Sequence, residues 1–390
     1  KAGFSRIITF DMGGTSTDVC LVDENEGGPR STNDALISQM PVSVPMLDIH
    51  TIGAGGGSLA RFDRAGILHV GPESAGANPG PVCYGRGTQP TVSDANLILG
   101  RLHPEHFLDG KAQLDRDRAR LYMEKARRNM ATVEEFSSGI VLLAEAAMER
   151  AIRLISVERG YDPREFTLVA FGGAGPLHAC ALAKALQIPR VLIPACPGAL
   201  SALGILLADT VRDYSKTVML KSDADLGPYF AELEELAGKA SQFDKKRGLA
   251  TRSLDLRYAG QGYELNVPFM PEFVQSFHQM HQKRYGHADA SKAVEVVNIR
   301  LRITVPGEVF NMPAFTPRDG DAAQALIETY PMIFAGEKCA GKVYRRELLA
   351  SGDRIYGPAI VAEYSATTVV PPGWNALVDV YKNLVMEANQ

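Results

Sequence analysis

The sequence predicts an α/β fold of more than one domain, and three stretches carry that expectation. Residues 7–22, IITFDMGGTSTDVCLV, read as two apolar runs joined by a short glycine turn. From 132 onward, a Thr132–Glu135 capping box precedes Phe136, Ile140, Leu143, Ala147, Ala151 and Leu154, the 3–4 spacing of a buried helical face. Residues 166–194, FTLVAFGGAGPLHACALAKALQIPRVLIP, pass from an apolar run through a glycine turn and a small-residue helix to another apolar run. That order is a β-loop-α-β unit.

The turn inside 7–22 is chemically loaded. Gly13 and Gly14 permit positive φ and leave backbone N–H groups uncovered by side chains. Thr15, Ser16 and Thr17 add hydroxyl donors, while Asp11 and Asp18 frame the turn with negative charge. Bare amides with hydroxyls form an anion nest, and flanking carboxylates make sense when a divalent metal arrives with the anion. The stretch reads as a metal–nucleotide phosphate site on a hairpin. A P-loop is excluded because the turn has no lysine, and a dinucleotide fingerprint because DVCLV continues as a strand. A plain hairpin needs the glycines but neither the aspartate pair nor the hydroxyl run.

Bulk composition bounds the function classes. A chain of 390 residues exceeds what one core usually serves, so two or three domains are expected. Hydrophobic residues at 45% and charged residues at 22% describe an ordinary soluble globular protein. The net charge of −4 and pI near 6.1 give no support to nucleic-acid binding, and no apolar run reaches the roughly 20 residues of a membrane span. Cys20, Cys83, Cys180, Cys196 and Cys339 are scattered, odd in number and without a CxxC pair, which predicts free thiols in a reducing cytoplasm. The chain opens at Lys1, without a methionine and just before a core strand, so a fragment or the C-terminal part of a longer polypeptide is expected.

Beyond the hairpin, Ser43–Ile49 suits another strand and leads into DIHTIGAGGGSLARF, residues 48–62. The small residues Gly53 to Gly57 suit a loop pressed against a ligand or a neighbouring backbone, the ligand being favoured. Asp48 and His50 occupy alternate positions of an extended approach and share one direction, as metal ligands, acid/base groups or a structural pair. Residues 71–90 read as a rigid glycine- and proline-rich loop. Ser93 or Asp94 would cap a short helix closed by Gly100, and Asp94 also suits metal or water binding. The Gly172–Pro176 turn stands where a helix N-terminus meets whatever lies above the strands, favouring an anion or an adenine–ribose edge over close helix-to-strand packing. His178 reads as packed rather than catalytic. A charged helix over Ala231–Lys246 reads as a connector, and strands dominate from about Ser253. His278, His281 and His287 read as a solvated helix end.

Taken together, a DxGGT hairpin, an acidic residue before a helix and a second glycine turn resemble the actin, Hsp70 and sugar-kinase ATPase superfamily, a ribonuclease H-like fold. More narrowly, the chain resembles the A-type subunits of the hydantoinase/oxoprolinase family. The matching stretches are FDMGGTSTDV (10–19), DIHTIGAGGGSLA (48–60), VGPESAGANPGPVCYGRG (70–87), TVSDANLILGRL (91–102), RGYDPREFTLVAFGGAGPLHA (159–179), PGALSALG (197–204), RYAGQGYEL (257–265) and GPAIVAEYSATTVVPPGW (357–374). The expected organisation is an ATPase-like domain over 1–220, a helical connector over 221–252 and a strand-rich C-terminal domain over 253–390.

The resemblance implies ATP-driven opening of a five-membered lactam such as a hydantoin, an N-methylhydantoin or 5-oxoproline. It implies Mg2+ or another divalent metal, a further N-terminal domain, oligomeric assembly and a partner in the form of a hydantoinase B-type subunit. On that reading Gly13, Gly14, Thr15, Ser16 and Thr17 cradle the phosphates, and Gly172, Gly173, Ala174 and Gly175 face the adenosine. Asp11 and Asp94 hold the metal, Asp18 orients water, and Asp48 with His50 serves the substrate. The rival readings are a subunit of an ATP-dependent ketone carboxylase and a nucleotide-binding fragment without chemistry of its own.

Overall fold

The computed structural model describes residues 2–32, 35–37, 40–42, 46–240, 248–308 and 311–389. The chain folds into two compact units, one of Lys1–Ala202 with Met312–Gln390 and one of Leu203–Asn311. Both are α/β. Among the described residues, no helix is long and apolar enough to cross a membrane.

In the first unit, β1 (Arg6–Met12) and β2 (Thr17–Asp23) form the expected antiparallel hairpin. Ile8, Phe10 and Met12 alternate into the core with no exposure, and Val19 and Leu21 join them from β2. β1 also runs parallel to Thr167–Phe171, which runs parallel to Arg190–Ile193. This mixed sheet of nine strands extends on one side through Leu384–Ala388, Trp374–Val378 and Arg354–Tyr356. On the other side Gly28–Pro29 and His50–Ile52 both pair with β2. Of the strand expected over 43–49, residues 43–45 lie outside the described residues and Met46–Leu47 is extended.

Helices of this unit include α1 (Val92–Ile98), α2 (Arg116–Ala126), α3 (Val133–Ile155) and α4 (Gly175–Leu186). Thr132 caps α3 by accepting the Glu135 N–H, as its motif predicts. The buried face of α3 runs through Phe136, Ile140, Ala144, Met148, Ala151 and Ile155, while Leu143 is 39% exposed. The face thus keeps a spacing of four for longer than the sequence suggested, because α3 packs along α1 and α4 at once. At α1 the cap is Thr91, not Ser93 or Asp94. Thr91 accepts the Asp94 N–H and Asp94 returns a bond to the Thr91 N–H, a reciprocal capping box.

The compact units follow other boundaries than 220 and 253. The closing strands pair in the first unit's sheet, Leu384–Ala388 lying antiparallel to Arg190–Ile193. A four-stranded sheet in the same unit carries Leu326–Phe334, Glu337–Arg345, Ala359–Ala362 and Thr367–Val370 in that order. In the second unit, four antiparallel strands run in the order Thr210–Lys221, Val294–Val305, Leu249–Tyr258, Leu265–Pro268. Helix Gly227–Ala240 is no free connector, since Phe230 and Leu233 are buried in this unit's core with Leu254, Leu256 and Phe277. His281 is buried rather than solvated, its Nδ1 lying 2.7 Å from the His287 carbonyl.

One polar knot ties the second unit together. Asp255, 3% exposed, accepts bonds from Asn266 at 2.8 Å, Asn298 at 2.8 Å and Arg300 at 2.6 Å. Asp255→Ala strips three donors on two strands of their partner and is expected to cost about 2–4 kcal/mol. A urea titration checks it.

Candidate functional site

The hairpin tip is built by a second loop pressed against it. Gly56 donates to the Gly13 carbonyl at 3.0 Å and Gly57 to the Gly14 carbonyl at 2.7 Å, while Gly13 closes its own turn on the Ser16 carbonyl. A Cβ on Gly55 would stand 2.5 Å from the Thr15 nitrogen and 2.6 Å from the Gly14 carbonyl carbon. The Gly53–Gly57 loop is therefore glycine-rich chiefly because backbone meets backbone there, where a ligand was favoured from sequence. Gly13 and Gly14 themselves adopt no left-handed conformation, and a Cβ on either would meet open space. Their value is a bare, solvent-facing surface.

The three hydroxyls separate. Thr15 is exposed and Ser16 half-exposed, but Thr17 is fully buried and its Oγ1 donates to the Ala54 carbonyl at 2.6 Å. Thr17 is thus an anchor for the second loop and leaves the cradle to its two neighbours.

Asp11 and Asp18 are cross-strand partners, directly opposite each other at the end of the hairpin. Opposed residues of an antiparallel pair share a face, so two carboxylates stand on one side of the sheet. Asp11 Oδ2 accepts the Ser201 hydroxyl at 2.8 Å, and Asp18 Oδ1 accepts the Thr51 hydroxyl at 2.5 Å. Burial, with the Asp18 charge added, lifts Asp11 above the usual carboxylate range against the pull of Ser201. A pair of like charges held this way suits a divalent cation.

The remaining predicted acids go elsewhere. Asp94 has no exposure, and its carboxylate accepts the N–H groups of Val82, Cys83 and Thr91 and the Thr91 hydroxyl. Those bonds fasten the loop before α1, so its cap role leaves it no metal to hold. Asp48 forms an ion pair with Arg159, bonding through both oxygens. His50 pairs with Val19 whereas Thr51 pairs with Asp18, so the alternation of the strand puts Thr51, not His50, on the acidic face. Neither Asp48 nor His50 joins the Asp11–Asp18 pair.

The second glycine turn abuts the first. Gly172, at φ 78°, fits because a Cβ would strike Asp11 Oδ1 and the Met12 carbonyl, both at 2.4 Å, and Ala174 donates to that same carbonyl at 2.9 Å. Gly175 is buried beside the Phe10 carbonyl. Gly173 and Ala174 line a cleft together with Gly13, Gly14, Gly56 and Ser93, about 540 Å³ with the solvent at its mouth included. The N-terminus of α4 opens beside it with no side-chain cap, leaving the positive end of the helix toward the cleft. His178 lies in the first turn of α4, fully buried, with Nδ1 3.0 Å from Glu145.

Sequence reading missed Ser201 and Thr51, which bond the aspartates, and Glu363, which lines the cleft. Thr51 was visible as the residue between His50 and Ile52, but only the register with β2 gives it a face. Glu363 lies in the family-like stretch GPAIVAEYSATTVVPPGW with nothing local to mark it. Burial pushes its carboxyl up to about 7, against the pull of Arg346 and the Ser365 hydroxyl.

Two alanine substitutions separate support from surface. Gly55→Ala forces a Cβ against the hairpin backbone and is expected to destabilise by about 1–3 kcal/mol. Gly13→Ala meets open space and should leave the melting temperature within about a degree. Thermal melts of the two variants side by side decide it.

Comparison with known proteins bears on the family. A hydantoinase/oxoprolinase family model matches residues 1–214, and a hydantoinase/oxoprolinase C-terminal domain model matches residues 239–388. The alpha subunit of caprolactamase from Pseudomonas jessenii is 35% identical, across 97% of this chain and 57% of that relative. The 5-oxoprolinase of Dictyostelium discoideum is 32% identical, across 95% of this chain and 31% of that enzyme. The chain thus spans less than two thirds of either relative. A nucleotide-free acetone carboxylase structure shares the fold, with a TM-score of 0.91 at 24% identity, over 99% of this chain and 59% of that one. By the two family models and the relatives they accompany, the chain belongs to the hydantoinase/oxoprolinase family.

Proposed function

We propose that this chain is the nucleotide-handling part of an ATP-dependent hydrolase that opens cyclic amides, built on an actin-like ATPase core. The observation that carries the reading is the bare Gly13–Gly14 tip, flanked by the opposed Asp11–Asp18 pair and abutted by the Gly172–Ala174 turn. Relatives named caprolactamase and 5-oxoprolinase support this reaction class. In this reading the whole protein includes a preceding domain with its own glycine hairpin. It works in the cytoplasm, in an oligomer with a hydantoinase B-type subunit.

Asp11 and Asp18 fit a divalent cation, since two like charges on one sheet face are relieved by it. Mg2+ bound there would offset phosphate charge. The tip amides of Gly13 and Gly14, with the Thr15 and Ser16 hydroxyls, hold the phosphates of the substrate ATP. Gly173, Ala174 and the positive end of α4 take the adenosine side. Asp94 keeps the loop before α1 in place and touches no ligand.

Amide carbonyls are poor electrophiles, which is why ATP is spent. The carbonyl oxygen takes the γ-phosphoryl group, ADP leaves, and an imidate phosphate remains. Water adds to that carbon, the ring C–N bond breaks as nitrogen takes a proton, and a second water frees phosphate from the resulting acyl phosphate. The sum is cyclic amide, ATP and two waters giving amino acid, ADP and phosphate. Most of the catalysis is positioning and charge neutralisation.

The test is phosphate release from Mg·ATP by the full-length protein with its B-type partner. A lactam is expected to stimulate release without bicarbonate, and Asp11→Asn should lower the stimulated rate about 100-fold or more. Release that answers only to a ketone with bicarbonate would assign the protein to the carboxylases. Full turnover by Asp11→Asn would remove the phosphate-site assignment.

A further inference from the structure

Away from the Asp11–Asp18 pair, a cluster in the first unit brings two imidazoles and a carboxylate together. His103 and His106 lie in the loop between α1 and α2, and Glu328 lies on the strand Leu326–Phe334. Backbone contacts set these two segments against each other. The Ile333 N–H donates to the Leu99 carbonyl at 2.8 Å, and Gly100, at φ 70°, sits where a Cβ would stand 2.2 Å from the Pro331 carbonyl oxygen. A bulge between Leu326 and Glu328 interrupts the ladder just before the acid. Glu328 and Tyr330, two apart on the strand, share a face. Glu328 reaches both histidines, and Tyr330 stands edge-on to His103 with ring centroids 4.3 Å apart.

The spacing is that of metal ligands. Glu328 Oε1 lies 3.0 Å from His106 Nε2 and 3.4 Å from His103 Nε2, and the three atoms are all within 4.8 Å of one another. Ligands about 2.0–2.1 Å from one tetrahedral Zn2+ stand roughly 3.3–3.4 Å apart, so small side-chain rotations complete the set. Pairing within the protein leaves the cluster unfinished. His103 is 6% exposed, and among the described residues its Nε2 has no hydrogen-bond partner, nor has the buried Tyr330 hydroxyl. Access comes from the outer side, where the Glu328 side chain is 42% exposed.

We infer that His103, His106 and Glu328 bind a transition-metal cation of the Zn2+ class, which pins the loop between α1 and α2 to the strand Leu326–Phe334. Three protein ligands leave a fourth position for water. Two imidazoles with one carboxylate suit Zn2+ and disfavour Mg2+, which prefers oxygen. The Asp11–Asp18 pair offers oxygen alone, so the two places divide two cations by ligand type. Leu102 and Phe107, the sequence neighbours of the two histidines, line the cleft, so the ion stiffens one wall of it. The inference is independent of the nucleotide reading.

Charge and protons are accounted for. The charged side chains that His103 senses are Glu328 and Glu105 against Arg116, so with neutral imidazoles the surroundings are net negative before an ion arrives. In the metal-free chain His103 Nδ1 accepts the Glu105 N–H at 3.2 Å, which leaves the ring proton on Nε2. The metal takes the place of that proton on Nε2, and the neutral ring carries its proton on Nδ1 instead. Glu105 is exposed, so its N–H turns to water when the long bond is given up.

The experiment strips the full-length protein with a chelator and titrates it with Zn2+ in excess Mg2+, following heat, and with Co2+, following its visible ligand-field bands. His106→Ala is expected to weaken Zn2+ binding about 100-fold or more and to abolish the Co2+ bands of this site, and Glu328→Gln to weaken binding about tenfold or more. Asp11→Asn should leave Zn2+ affinity within about twofold, since it touches the other cation. Hydrogen exchange over residues 101–108 should slow on Zn2+ loading in the wild type and not in His106→Ala. Glu328→Gln, at a partly exposed strand position, keeps the test open if His106→Ala does not fold. Zn2+ affinity equal in the wild type and both variants, or Zn2+ displaced by the excess Mg2+, overturns the inference. Either of those results leaves the nucleotide reading standing.

Discussion

Two backbone hydrogen bonds hold the site in shape: Gly56 to the Gly13 carbonyl and Gly57 to the Gly14 carbonyl. They let a hairpin tip with no side chains stay rigid enough to present its surface. Short glycine turns lose much conformational freedom on folding, and a tip of this kind would otherwise fluctuate. Here the second loop supplies the order that the first gives up. The Thr17 hydroxyl to the Ala54 carbonyl, and Ser93 N–H to the Gly56 carbonyl at 2.7 Å, pass that order on to β2 and α1. Asp94 then fixes the start of α1 from below. The bare surface of the tip is thus set by contacts that lie behind it.

The glycines divide into two physical classes, and the division explains the site better than their number does. Gly55 and Gly172 exist for close approach, since a Cβ on either would overlap backbone or the Asp11 carboxylate. Gly13 and Gly14 exist for exposure, with open space where a side chain would stand. Supporting glycines lie behind the surface and presenting glycines on it. Gly172 links the classes, because its packing against Asp11 and Met12 sets the second turn at the end of β1 and so brings Gly173 and Ala174 to the cleft.

The parts of this arrangement that are local in sequence were legible there. The hairpin and the β-loop-α-β unit announce themselves through apolar runs and turn residues a few positions apart, and the family-like stretches carried the family. What was hidden depends on pairing over distance. The same GAGGG run suits a ligand or a backbone, and only the partner at Gly13–Thr15 settles it. Asp94 looks equally like a cap, a ligand or both until the donors of Val82 and Cys83 converge on it. Alternation groups Asp48 with His50, but register with β2 puts Thr51 on the acidic face, and Asp48 pairs with Arg159. The strand at 384–388 reads as part of a late, separate domain, and its antiparallel pairing with Arg190–Ile193 draws it into the first sheet.

The Arg346–Glu363 pair shows how incomplete pairing sets the state of a buried carboxyl. Were the two groups in ideal contact, Arg346 would hold the carboxylate ionised and both charges would be satisfied within the protein. Instead Arg346 divides its donors between two backbone carbonyls and stands 3.7 Å off, so its attraction does not overcome the cost of burying the carboxylate. The result is a carboxyl near neutrality with one oxygen unengaged. Stability alone gives no reason to keep it, because an apolar side chain of similar volume would bury at less cost.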